Sequence, residues 1–384
     1  MDRAGDAHDV VVVGAGAAGC VVARRLADRG LDVLVLEAGP AVPRPVPPDW
    51  LDGWRLPTLP DWAYVSEPAA GGERTTVRRG RLVGGTSWLT RFAVRGSPAD
   101  FDAWAVGGLR GWAFHEVLPV FREIETDAEF GDQPWHGNTG RIPITRYPGL
   151  PRTVVHEAGL AAFDAVGIPA VEDHNRPGAV GFGPMPMSSH DGRRVTTADA
   201  YLGDRAATGR PELRADVLVA GVVLQGHRAV GVRLLDGTWI PAAHVVLSAG
   251  TYGSPAILMR SGVGPADHLT DIGIDVVHDL PGVGSNLADH PGVDLDTGWV
   301  GPGVRGPLLH SIATLRSSLA DPDGPPDLMF WITDPDGEDG GFYLDPILLK
   351  PESRGTVRLR SANPIAAPVI TLPGIRAERD LERL

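Results

Sequence analysis

The chain has 384 residues, 43% hydrophobic and 22% charged, with a formal net charge of −13. That length allows about two domains and a large buried core, and the acidic balance argues against nucleic acid or an anionic membrane as a partner. Cys20 is the only cysteine and Lys350 the only lysine, which closes intramolecular disulfides, cysteine metal sites and, in effect, lysine-dependent cofactor chemistry. No metal is expected. Uninterrupted apolar runs stay well short of a membrane span, and Met1 to Asp9 has no apolar signal region, so a cytoplasmic protein is the default expectation.

In chain order, the four valines Val10 to Val13 read as a buried parallel strand, because both faces are apolar. They run straight into Gly14-Ala15-Gly16-Ala17-Ala18-Gly19, a helical pattern to about Arg29, and a second apolar strand from Leu31 to Leu36 that ends in Glu37. Gly14 suits a tight turn, Gly16 a close approach to a pyrophosphate, and Gly19 tight helix–strand packing. The helix start offers amides and partial positive charge to phosphate, and Glu37 can accept from a ribose diol. Strand, glycines, helix, strand and acid in this order predict adenine-dinucleotide binding.

Further along, the proline- and tryptophan-rich Pro40 to Pro68 reads as a long surface excursion. Arg78 to Thr90 is a second glycine-centred turn leading into a helix. Amphipathic helices are predicted from Phe114 onward and over Pro151 to Val166. Val217 to Leu224 and Ala229 to Leu235 form a hairpin, Ala243 to Leu247 another buried parallel strand, Gly301 to Gly341 a loop region, and Pro346 to Arg360 strand-like chain.

Four blocks then point to one family. They are the opening unit ending in Glu37-Ala38-Gly39, the run Gly80-Arg81-Leu-Val-Gly84-Gly85-Thr86-Ser87 with its continuation through Arg95-Gly96 to Trp104, the run Gly250 to Gly264, and Leu280 to His290. In these the chain resembles the glucose–methanol–choline (GMC) flavin oxidoreductases along almost its whole length. The resemblance implies an α/β fold: a doubly wound, Rossmann-like FAD-binding domain (residues 1–300) and the start of a second, α+β substrate domain (residues 301–384). It implies oxidation of an alcohol, with hydride passing from the carbinol carbon to flavin N5 and electrons then to oxygen or another acceptor. It also assigns Arg81, Gly84, Gly85, Thr86, Ser87 and Thr90 to the flavin cradle, and Ala38, Val219, Ala249 and Gly250 to the dinucleotide.

Two departures from the family pattern bear on function. Thr90 stands where the family normally has asparagine or histidine near the flavin. Leu89 stands where some members attach FAD through a histidine, so non-covalent FAD is expected. The family's catalytic histidine and its partner lie in a region beyond the last residue here, so the chain reads as truncated. Of the internal histidines, His290 is expected at a structural or cofactor edge, and His136 and His174 as solvent-facing or capping loop residues. No catalytic residue is assigned. A flavin-binding partner subunit without turnover is the alternative. A nicotinamide dehydrogenase is weaker still, because the later blocks have no role in it.

Overall fold

Alternating valines organise the first sheet. The computed structural model describes residues 7–68, 74–203, 208–301, 309–334 and 340–384. Strand β1 (His8–Val13) leads to helix α1 (Ala17–Ala27) and strand β2 (Val33–Leu36). Then come α2 (Pro98–Val106), α3 (Phe114–Ile124), α4 (Val154–Ala165), β3 (Gly181–Pro184), α5 (Thr197–Leu202) and β4 (Glu212–Arg214). The hairpin β5 (Val219–Gln225) and β6 (Arg228–Leu234) precedes β7 (Trp239–Leu247) and α6 (Gly250–Arg260). Strands β8 (Leu295–Gly301), β9 (Leu309–Leu315), β10 (Leu328–Thr333) and β11 (Gly340–Leu348) follow.

The first sheet runs β4-β2-β1-β7-β6-β5. Its first four strands are parallel and the hairpin is antiparallel. Val10 and Val12 pack under α1 and α5 beside Cys20, Ala23 and Tyr201, while Val11 and Val13 pack beside Val232, Ile240 and Ile257. Burying each such aliphatic side chain is worth about 1.5–3 kcal/mol, and with both faces covered the strand has no freedom to slip by one residue. The second sheet, β8-β11-β10-β9-β3, is antiparallel throughout. Helix α4 lays Leu160 and Phe163 onto Ala313 and Ile332 of that sheet. The doubly wound unit and the second sheet are the architecture expected from the sequence.

Several local expectations are corrected. Part of Gly301 to Gly341 is not loop: residues 309–315 and 328–333 form β9 and β10, while 302–308 and 335–339 lie outside the described residues. The helix expected after Gly85 is one 3₁₀ turn, Gly85–Trp88, and α2, capped by Ser97 and Asp100, was not foreseen. Pro40 to Pro68 is no mere surface excursion, because Trp50 and Leu59 are buried against Leu82 and Trp88. Strand β7 is parallel to β1 as expected, but Ala243 and His244 are exposed.

His136 is also corrected: it is buried, not solvent-facing. Its Nδ1 lies 2.6 Å from Glu125 Oε1 and its Nε2 3.0 Å from Asp173 Oδ2. Arg95 pairs with Glu125 at 2.6 Å, and Arg146 bridges Asp127 and Asp173 at 2.9 Å each. Glu125, Asp127 and His136 are close enough together to suggest a metal site, yet the two guanidiniums already neutralise these carboxylates. Burial works against ionising Glu125 and Asp173, but the hydrogen bonds from His136, aided by Arg95 and Arg146, hold both below the usual carboxylate range. Burial likewise opposes a charged His136, and the bonds to Asp173 and Glu125 outweigh it and raise its pKa.

The linkage has two signs. The depressed acids contribute stability that is complete above about pH 5 and lost as pH falls below about 4. The raised His136 contributes fully below about pH 6.5, and that share fades as pH climbs through its folded value. Replacing His136 with Ala strands buried carboxylates and should cost about 3–5 kcal/mol. Urea unfolding across pH 4 to 9 checks this, and a change under about 1 kcal/mol would contradict the network's role.

Candidate cofactor and substrate site

Three strand ends converge on the first glycine turn. Gly14 takes φ +96°, and a side chain there would strike the Ser248 carbonyl at the end of β7. A Cβ on Gly19 would lie 1.9 Å from the Gly14 carbonyl oxygen, so α1 can seat on the turn only with glycine at that position. Gly16, by contrast, faces open space. Helix α1 starts with no side-chain cap and no acidic residue in its first turn, and Ala17 and Ala18, which open it, are exposed. An uncapped, accessible helix start is a site for an anion.

Glu37, buried at the tip of β2, accepts from the Ala15 amide and the Gly39 amide, both at 2.8 Å. Burial pushes its pKa up, while those two amides pull it down. Each oxygen keeps a further lone pair, which fits a diol donor. Arg81, folded over the Trp62 ring, donates to the Ala38 carbonyl at 3.3 Å.

The second glycine turn packs directly on the first. Gly84 donates to the Ala15 carbonyl at 2.8 Å, and Gly85 sits so close to Gly16 that a Cβ would come within 2.8 Å of its Cα. Ser87 Oγ donates to the Gly84 carbonyl at 2.6 Å and meets Thr197 Oγ1 at 3.2 Å. The Thr86 carbonyl accepts from both the amide and the hydroxyl of Thr90. Ala249 and Gly250 start α6 beside Gly14. Val219 is the outlier, because its side chain is buried in the core and its backbone pairs with Leu234 in the hairpin. Leu89 is buried among Trp50, Leu82 and Trp88.

Two residues past Thr90 a cavity of about 920 Å³ begins. Phe92, Met329 and Trp331 form its apolar wall, and the Phe92 and Trp331 rings are 5.6 Å apart. His174 and His290 both line it. His174 is buried, a further correction, and burial drives its pKa down to about 4. Trp331 and Met329 were missed because Gly301 to Gly341 was read as loop. The apolar runs LHSIATL and LMFWIT, separated by the twelve-residue RSSLADPDGPPD, are the strand signal that would have found them.

A dinucleotide-binding α/β unit, a second glycine loop pressed onto it, and an antiparallel sheet walling a cavity define a flavin-dependent oxidoreductase. The GMC oxidoreductase family model matches residues 8–292, and the chain belongs to that family, whose members use FAD to oxidise alcohols. It is 34% identical to an oxygen-dependent choline dehydrogenase of Brucella suis, covering 97% of this chain and 74% of the relative. It is also 34% identical to a 5-(hydroxymethyl)furfural oxidase of Methylovorus, covering 98% and 75%. The crystal structure of pyridoxine 4-oxidase from Mesorbium loti superposes with a TM-score of 0.85 at 33% identity, over 98% of this chain and 78% of that one. Among the described residues no helix is long and apolar enough to cross a membrane.

Two predictions follow from the turn. Gly19→Val should abolish flavin retention, read as loss of visible absorbance after gel filtration; a yellow variant would refute the packing. Burial raises the Cys20 thiol to about 12, so a thiol reagent at about pH 8 should label it only after unfolding.

Proposed function

We propose that this chain oxidises the CH–OH group of a small alcohol held in the cavity, with FAD bound non-covalently across the paired glycine turns. The observation that carries the reading is the uncapped start of α1, open at Gly16, bracketed by Glu37 and by Gly84-Gly85. In this reading the amides of Gly16, Ala17 and Ala18 take the pyrophosphate, Glu37 takes the ribose diol, and Ala38 and Arg81 border it. Gly84, Gly85, Thr86, Ser87 and Thr90 line the flavin side, with Ala249, Gly250 and the Val219 main chain on the dinucleotide's other flank.

Bound there, FAD would supply the two-electron sink for a hydride leaving the carbinol carbon. The chain's own task is to hold the alcohol against the Phe92–Trp331 wall and limit water around the reacting carbon. The hydroxyl proton would leave to solvent, oxygen or another small acceptor would take the electrons, and a cytoplasmic location suits the soluble substrates. The aliphatic Leu89 offers no nucleophile for a covalent flavin link.

Denaturing the protein in acid should release all yellow colour to the supernatant; colour left in the pellet would overturn the non-covalent reading. Anaerobic addition of a panel of primary and secondary alcohols should bleach the flavin. An unchanged spectrum with every alcohol would favour a flavin-binding partner subunit without turnover.

A further inference from the structure

The cavity that walls the proposed substrate is cationic, although the protein carries a net charge of −13. Its lining includes Arg176, Arg316, Arg354 and Lys350 against the carboxylates of Asp100 and Asp323. Lys350 is already matched by Asp100. Among the described residues, Arg316 donates only to the Gly324 carbonyl, at 2.7 Å, and Arg354 only to the carbonyls of Pro351 and Ser353. Arg176 has no side-chain partner among the described residues. Among the described residues, three guanidiniums without a carboxylate partner therefore share the cavity with one unpaired acid, Asp323. They come from three separate segments: the loop before β3, the turn after β9, and the chain after β11.

Backbone carbonyls hold two of these guanidiniums in place without neutralising them. A planar guanidinium fixed in that way suits a carboxylate or phosphate oxygen pair. The opposite wall, Phe92, Met329 and Trp331, is apolar and suits the carbon body of the same molecule. We infer that the preferred substrate is an alcohol carrying an anionic group, carboxylate or phosphate, which Arg176, Arg316 and Arg354 capture at the cavity rim while its hydroxyl points inward. This rests on the reading of the cavity as the alcohol site. A cationic alcohol of the choline type would be repelled by the same three charges.

The test uses benzyl alcohols carrying para-carboxylate, para-carboxamide or para-trimethylammonium groups, with the holoenzyme. The carboxylate should show the highest kcat/KM and the trimethylammonium the lowest. Raising ionic strength from about 0.02 M to 0.5 M should narrow the spread, because rim charges are screened. Each of Arg176→Gln, Arg316→Gln and Arg354→Gln should lower the carboxylate-to-carboxamide ratio about two- to fivefold, chiefly through KM, as exposed ion pairs do. The triple variant should lower it on the order of tenfold or more.

Binding gives a readout without turnover. 4-Methylbenzoate, which has no hydroxyl, should bind more tightly than 4-methylbenzamide by calorimetry, and the triple variant should erase the difference. A trimethylammonium preference in turnover, or a failure of the carboxylate to exceed the carboxamide in either assay, would overturn the inference. If 4-methylbenzoate binds selectively while no alcohol bleaches the flavin, the anion site stands and only the oxidation reading falls. Phosphate-bearing benzyl alcohol in the same assays separates the two kinds of anion.

Discussion

The Glu37 carboxylate accepts the Ala15 amide with one oxygen and the Gly39 amide with the other. A buried carboxylate is costly unless its oxygens are satisfied, so these two bonds bind the end of β2 to both turns that follow the first strands. Main chain from elsewhere then locks onto that bracket. The Gly39 carbonyl accepts from Asp216, and the Glu37 carbonyl from Val217 just before β5. The Ala15 carbonyl receives Gly84, which brings the second glycine loop into contact. Moving the Glu37 side chain would disturb each of these junctions, and with them the shape of the surface proposed to hold the dinucleotide.

The substrate side depends on a different balance. Arg95, seven residues after Trp88 in the second block, is drawn inward to Glu125, and through Glu125 to His136, Asp173 and Arg146. Asn175 extends the same network, accepting from the Arg95 amide and donating to the Ala93 carbonyl. The segment that leaves the second glycine loop is thereby pinned to the loop that carries His174 and Arg176. A charged network out of water holds its geometry because each member depends on the others. Loop and cavity wall are thus parts of one continuous framework, although the bonded residues lie up to 82 positions apart.

Where local chemistry decides, the sequence was readable. Val10 to Val13 read as a strand buried on both faces, and the spacing of Gly14, Gly16 and Gly19 is a local pattern, although only Gly19 answers to a local contact, the Gly14 carbonyl, while Gly14 answers to the distant Ser248. The hairpin of β5 and β6 was likewise legible from alternation around a Gln-Gly-His-Arg turn. The errors arose where proline and glycine masked short apolar runs, as in β9 and β10, and where burial depends on a distant partner. Trp50 looked like surface chain because much of what buries it, Leu82 and Trp88, lies more than 30 residues further along. His136 looked like a capping loop residue because its carboxylates come from Glu125 and Asp173, 11 and 37 positions away.

By itself the amino-acid sequence determined the nucleotide-binding turn, the order of its strands and the family to which the chain belongs, because those properties rest on residue types in fixed, close succession. Tertiary structure alone decided which face of the cavity is apolar and which cationic. It also decided that His174 lines that cavity while His136 is locked in an ion network, and that Gly84 rests on Ala15. The physical reason is range. Backbone turns and strand patterns are set by neighbours in the chain, whereas burial, ion pairing and the charge of a cavity are set by whichever segments the fold brings side by side.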